Sequence, residues 1–232
     1  MIMKVGRLLF LIICCVLILA ACGPTHMTKY EAFPKMYAEH PLAILVLPPI
    51  NETTAADAKE YYATTIAEPL SFSGYYVFPI EVISEIMKNE GLYDTEVLLN
   101  LPTNKFKEYF GADAVMYIWI KKWSTSYYVI GGNVSVSIRL AIKSTSTGDD
   151  LWHYEGTIIE NTTVTSTGGG LVGLAVSVVG TAVKTAATDY VPIAKRTNYL
   201  ILRAAPCGKY HPKYDKDREE KVILDKVMRT KK

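Results

Sequence analysis

Two uninterrupted apolar runs decide what this chain can fold into. Leu42-Ala43-Ile44-Leu45-Val46-Leu47 is closed by Pro48-Pro49, and Ala114-Val115-Met116-Tyr117-Ile118-Trp119-Ile120 follows the loop Gly111-Ala112-Asp113. A strand that is apolar at every position, rather than at every second one, must be covered on both faces. The chain therefore has to supply helices for two sides of a sheet. Pro48, which has no N–H to donate, is expected to end the ladder of the first run.

The sequence between and after these runs supplies the covering elements. Asn51, Thr53 and Thr54 are candidate helix caps, and Ala55 to Glu68 has helical composition up to Pro69, with Ala58, Tyr62, Ile66 and Leu70 along one face. Ser73-Gly74 reads as a turn, Tyr75 to Phe78 as a strand, and Glu81 to Glu90 as a helix that packs Val82, Ile83, Ile86 and Met87 and stops at Gly91. Thr103 is placed to cap a further helix whose apolar face is Phe106, Tyr109 and Phe110, with Gly111 beyond its end. Val134, Val136, Ile138, Leu140 and Ile142 alternate with polar residues, as one face of an antiparallel strand should. Thr147-Gly148-Asp149-Asp150 turns the chain back into a partner strand from Leu151 to Val164. Tyr190 to Arg203 predicts another helix carrying Ile193, Tyr199, Leu200 and Leu202. Strand-helix units suggest parallel pairing and the hairpin adds antiparallel strands, so the expected fold is α+β, a mixed sheet covered by helices.

The first two dozen residues carry a different message. Lys4 and Arg7 precede an apolar stretch from Leu8 to Leu19, and Leu19-Ala20-Ala21-Cys22 follows at once. The stretch is shorter than the roughly 20 residues of a membrane span and has the three parts of a signal peptide. Its end looks like a bacterial lipobox, in which Cys22 receives a diacylglyceryl group and becomes the first residue of the mature chain. Gly23 in place of aspartate suits onward sorting to the outer membrane. The expected organisation is a signal peptide over 1–21, a lipidated N-terminus and tether over 22–41, a domain over 42–208, and a charged, exposed tail over 209–232 with a short helical pattern at Val222 to Met228.

With Cys14 and Cys15 in the leader and Cys22 lipidated, the mature chain keeps one ordinary thiol, Cys207, which cannot form an internal disulfide. It reads as inert. A formal charge of +2 with no concentrated basic face argues against a nucleic-acid partner. His26, His40, His153 and His211 lack ligand spacing, so no metal or other cofactor is expected.

Three stretches carry a family resemblance: Val46-Leu47-Pro48-Pro49-Ile50-Asn51-Glu52, Gly74-Tyr75-Tyr76-Val77-Phe78-Pro79, and Phe110-Gly111-Ala112-Asp113-Ala114-Val115-Met116-Tyr117. Together they resemble a family of bacterial outer-membrane lipoproteins of unassigned activity, whose meningococcal member was studied as a vaccine candidate. The resemblance runs to about residue 205. It implies a fold like the N-terminal domain of TolB, self-association into a homo-oligomer, and CsgG-like lipoproteins as neighbours. It implies no catalytic residue.

The remaining constellations point the same way. Gly168, Gly170 and Gly173 match a dinucleotide fingerprint in form, with Asp189 downstream, but they follow a hairpin rather than the first strand of a βαβ unit. The apolar, glycine-laden run to Val183 reads as a joint into a closely packed helix, with an interaction role as the alternative. Asp113 and Glu52 read as loop and cap chemistry. Trp123 to Tyr128 divides between core and an exposed binding edge. The chain is thus expected to be a non-enzymatic envelope scaffold anchored through Cys22 on the periplasmic side, the alternative being a regulatory module for peptidoglycan or a cell-wall synthase.

Overall fold

A computed structural model describes residues 26–92, 95–128, 131–161 and 190–223. The leader, Cys22, the glycine run with Asp189, and residues 224–232 lie outside the described residues. In chain order the elements are β1 (His26–Thr28), α1 (Lys29–Ala32), α2 (Pro34–Glu39), β2 (Ala43–Val46), β3 (Ile50–Asn51), α3 (Ala58–Phe72), β4 (Tyr76–Val77), α4 (Ile80–Asn89), α5 (Thr95–Leu98), α6 (Asn104–Phe110), β5 (Ala114–Tyr128), β6 (Gly131–Ser144), β7 (Asp150–Asn161), α7 (Tyr190–Leu202) and β8 (Lys221–Ile223).

The fold is α+β, built on a mixed sheet in the order β4-β2-β5-β6-β7. β2 runs parallel to β4 and β5, and β5, β6 and β7 form an antiparallel meander. The two apolar runs occupy the middle, buried on both faces as their composition requires. Ile44, Val46, Met116, Ile118 and Ile120 face one core with α3 and α7. Leu45, Leu47, Val115 and Tyr117 face a second, smaller core with α4, α5 and α6. The alternation in β6 holds: Val134, Val136, Ile138, Leu140 and Ile142 are all fully buried on the first face.

Several elements depart from the sequence expectation. The ladder of the first run does end before Pro48, but a short strand that the sequence did not suggest, β3, follows the two prolines and pairs with β5, Ile50 lying opposite Trp119. α3 passes through Pro69 for one more turn, because only the donor at one position is lost and Ser73 N–H still reaches the Pro69 carbonyl at 3.0 Å. Its N-cap is Asp57, while Asn51 closes its own turn, accepting from Thr53 N–H at 3.0 Å and donating to the Ala55 carbonyl at 2.6 Å. In α4 the buried residues are Ile80, Ile83 and Met87, whereas Val82 and Ile86 are exposed.

The largest departures are at the two ends. Residues 22–41 were expected to tether the domain, yet from β1 onward they belong to it: Phe33, Met36 and Tyr37 are buried. The stretch after 209, expected to be exposed, places Asp217 fully in the interior, and Lys221–Ile223 is a strand rather than part of a helix. β8 pairs with β1 antiparallel, His26 opposite Ile223 and Thr28 opposite Lys221. The ends are drawn together because each carries half of a buried ion pair.

Candidate functional site

Lys29 opens α1, where Thr28 caps the helix with a reciprocal box: Thr28 Oγ1 accepts from Glu31 N–H at 3.2 Å, and the Glu31 carboxylate accepts from Thr28 N–H at 2.9 Å. This fixes Lys29 pointing inward. Its ammonium donates to Asp217 Oδ2 at 3.0 Å and lies 3.1 Å from Glu220. Asp217 also accepts from Tyr37 Oη at 3.0 Å and from Cys207 N–H at 2.8 Å. Burial alone would raise this carboxyl; the Lys29 hydrogen bond and charge and the Cys207 N–H override it, and the pKa is held below the ordinary value. The same surroundings act oppositely on Cys207, whose thiol is pushed up to about 12 by burial and then by Asp217. The cluster clamps the two ends of the domain together, and Lys29, Cys207 and Glu220 also line an open cleft of about 360 Å³ beside the ends of α3 and α7.

A second tie runs between Gly74 and Gly208. Gly208 N–H donates to the Ser73 carbonyl at 2.8 Å and Tyr210 N–H to the Gly74 carbonyl at 3.0 Å. Gly74 has φ of 91°, and a Cβ on Gly208 would lie 2.3 Å from the Gly74 oxygen. Only glycine fits both positions.

Asp113 behaves as loop chemistry: its Oδ2 accepts from Leu42 and Ala43 N–H at 3.1 and 3.0 Å, fixing the entry of β2 beside β5. Glu52 forms an ion pair with Lys121. Trp123 is buried and stacks on Tyr190 at 4.9 Å, while Tyr127 and Tyr128 continue β5. His40 shares a hydrogen bond with Tyr214, His153 lies on β7 and His211 accepts from Lys213 N–H. Among the described residues no group of three His, Cys, Asp or Glu could hold a metal ion.

Two clefts remain. One, of about 540 Å³, lies beside β7 and combines Met27, Ala32 and Phe33 with Glu31, Arg139, His153 and Glu155. Two of its charged groups have structural tasks: Glu31 closes the cap of α1, and the Arg139 guanidinium lies 4.9 Å over the Trp119 ring. The other, also about 540 Å³, lies between α4 and α6 and is mostly apolar, lined by Ile86, Met87, Leu92, Phe106, Tyr109 and Phe110 among others. Tyr109 is 67% exposed and Ile86 41%, and Val82 on α4, Val97 on α5 and Leu99 just after α5 are exposed as well. The periodicity that marked Ile86 and Tyr109 as apolar helix positions is visible in the sequence; that they rim an open cleft is not.

Residues 29–209 match the family model described as "Putative lipoprotein GNA1162-like". The chain belongs to this family. A putative lipoprotein of Neisseria meningitidis serogroup B is 31% identical over 188 residues, covering 81% of this chain and 86% of that protein. The crystal structure of lipoprotein GNA1162 from Neisseria meningitidis superimposes with a TM-score of 0.50 at 30% identity, over 64% of this chain and all of the other. A fainter likeness, with a TM-score of 0.40 and 16% identity over 72% of this chain and 89% of the other, is to a PelC dodecamer from Paraburkholderia phytofirmans. That last likeness is too distant to bear on function. The family match begins at Lys29 and stops before Asp217, so half of the clamp lies outside it.

Proposed function

We propose that this chain is a non-enzymatic scaffold or accessory lipoprotein of an envelope assembly or export complex. It is anchored in the bacterial outer membrane by acylated Cys22, with its domain on the periplasmic face. The observation that carries the reading is the apolar cleft between α4 and α6. Solvent-exposed Tyr109 and Ile86 on its rim are side chains of the kind that anchor protein interfaces, and a packed monomer gains nothing by exposing them. The edge position of β7, twelve residues long with no further strand of the sheet beyond it among the described residues, gives self-association a second surface. The lipobox and membership of a lipoprotein family support the anchor.

The test is a photo-crosslinking amino acid at position 109, compared with one at exposed Glu60 on α3, in intact cells. The reading expects discrete adducts from position 109, either with a second copy or with another envelope protein, and Ile86→Asp on the same rim should abolish them without unfolding the domain. Adducts absent from both positions would refute it. Adducts with a cell-wall synthase, together with stimulation of that synthase by the purified chain, would favour the regulatory alternative.

A further inference from the structure

One hydrogen bond fixes which way the backbone of β8 faces. Lys29 N–H donates to the Glu220 carbonyl at 2.8 Å, and these two residues continue the register in which Thr28 lies opposite Lys221 and Met27 opposite Val222. Peptide groups in a strand point alternately to its two sides, and in a planar trans unit the N–H points away from the carbonyl before it. With the Glu220 carbonyl turned toward β1, the N–H and carbonyl of Lys221 are turned away from it. Val222 is turned back to β1 and Ile223 away again. β8 thus presents the main-chain groups of Lys221 and Ile223 on its outer edge, and among the described residues no strand pairs with that edge.

An open cleft of about 340 Å³ lies along it. The cleft is lined by Lys221, which is exposed, and by Val222, which is buried on the other face of the strand. Contact with residues of both faces places the cleft at the strand's edge rather than over one face. Its far wall is apolar, formed by Leu200 and Ala204 at the end of α7 and by Tyr154 on β7. The charges around it are unevenly spent. Lys29 is held by Asp217 at 3.0 Å, and Glu220 by Lys213 at 2.7 Å. Arg203 and Lys221, both exposed, form no ion pair among the described residues. Arg203 also lines the neighbouring cleft of about 360 Å³ that Phe72 borders.

We propose that the outer edge of β8 takes up an extended acidic segment of a partner protein as a third strand. Its main chain pairs with Lys221 and Ile223, and its carboxylates meet Lys221 and Arg203. Main-chain pairing supplies the affinity of such strand addition, and the side chains beside the edge choose the sequence. Charge decides the occupant. A second copy docking through the same edge would bring two sets of these unpaired cations together, whereas an acidic segment neutralises them. A third strand also completes a sheet that is marginal with two. This edge is separate from the α4/α6 cleft and from the edge of β7, and its use does not depend on the anchor at Cys22.

The full-length chain, purified in detergent, is titrated with a fluorescein-labelled peptide of alternating valine and glutamate and with one of alternating valine and lysine, and binding is read by anisotropy. Saturable binding of the glutamate peptide is expected, weaker by about tenfold or more for the lysine peptide and for Arg203→Glu. Lys221→Pro removes a donor that β1 does not use and should weaken binding by a similar factor, while Lys88→Glu on α4 should leave it unchanged. Hydrogen exchange on the unsubstituted chain gives a readout that needs no variant to fold. The glutamate peptide should slow the amides of Lys221 and Ile223 and leave that of Val222, already turned to β1, as it was. Absence of saturable binding, equal binding of the two peptides, an unchanged Arg203→Glu variant, or binding without slowing at Lys221 overturns the proposal. So does a chain that sediments as a dimer with the Lys221 amide slow before any peptide is added, a result that gives the edge to a second copy.

Discussion

Asp217→Ala should be among the most damaging single substitutions outside the hydrophobic core. The carboxylate is fully buried and satisfies three donors: the Lys29 ammonium at 3.0 Å, Tyr37 Oη at 3.0 Å and Cys207 N–H at 2.8 Å. Removing one partner of a buried pair costs about 3–5 kcal/mol, because the other charge stays behind. Here Lys29 retains the half-exposed Glu220 at 3.1 Å, which places the loss near the lower end, about 3 kcal/mol. For a domain of this size that is a fall in Tm of roughly 6–12 °C. Thermal unfolding followed by circular dichroism reads it directly. Lys29→Met/Asp217→Leu should be more stable than Asp217→Ala, since an apolar pair leaves no orphaned charge. The pH dependence has a definite sign. The folded-state pKa of Asp217 is lowered, so its contribution is present above the unfolded value near 3.8 and is lost as pH falls through the folded one. Asp217→Asn should accordingly flatten the loss of stability below pH 4. A loss under about 1 kcal/mol in Asp217→Ala, or a double variant as unstable as the sum of its singles, would refute the reasoning.

Cys207, whose thiol is pushed up to about 12 by burial, should resist maleimide at pH 8 in the folded chain and react at once in denaturant; its share of stability is present below the ordinary thiol value near 9 and lost as pH rises from there. Gly208→Ala should destabilise by about 1–3 kcal/mol, because the new methyl meets the Gly74 backbone rather than a side chain that can move, and urea unfolding measures this. Asn198→Ala removes the acceptor of Tyr62 Oη, 2.6 Å away, and a donor to Thr65 Oγ1, all fully buried between α3 and α7; a loss of roughly 2–4 kcal/mol is expected, and a hydrogen-exchange map should show the slowing lost first in those two helices.

The centre of this fold is legible in the sequence because it is specified by local pattern. Continuous apolar runs identify β2 and β5, strict alternation identifies β6, and glycines at 74, 91, 111 and 148, all with positive φ, mark the turns. Asp113 is legible as a loop aspartate, from its place between a helix end and a strand; that the amides it holds are those of Leu42 and Ala43, far away in the chain, is not. The ends are not legible, because what orders them is a contact between residues 188 apart. A lysine in a polar N-terminal stretch and an aspartate among Lys216, Arg218 and Glu219 have the composition of solvated surface, and no periodicity announces that they meet in the interior. One local sign was available: Thr28-Lys29-Tyr30-Glu31 is a capping box, and it marks a helix where a tether was expected. The exposure of Ile86 and Tyr109 was equally hidden, because the spacing that names an apolar helix face does not say how much of that face the neighbouring helix covers.

The clamp also explains how three-residue strands persist at the point where the anchor would pull. A two-stranded sheet this short is marginal in water by itself. β1 and β8 are held by their ladder, by Lys29 N–H to the Glu220 carbonyl at 2.8 Å, by Tyr30 N–H to the Arg218 carbonyl at 3.2 Å, and by the ion pair behind them. Breaking the pair should therefore free both ends together while the sheet stays folded. In Asp217→Ala, brief proteolysis should cut within residues 29–40 and 209–223 at similar rates, and the interval from β2 to β7 should remain protected. If cleavage instead spreads evenly through the domain, the clamp belongs to the global core. If only the later segment is cut, β1 is held by something other than its partner strand.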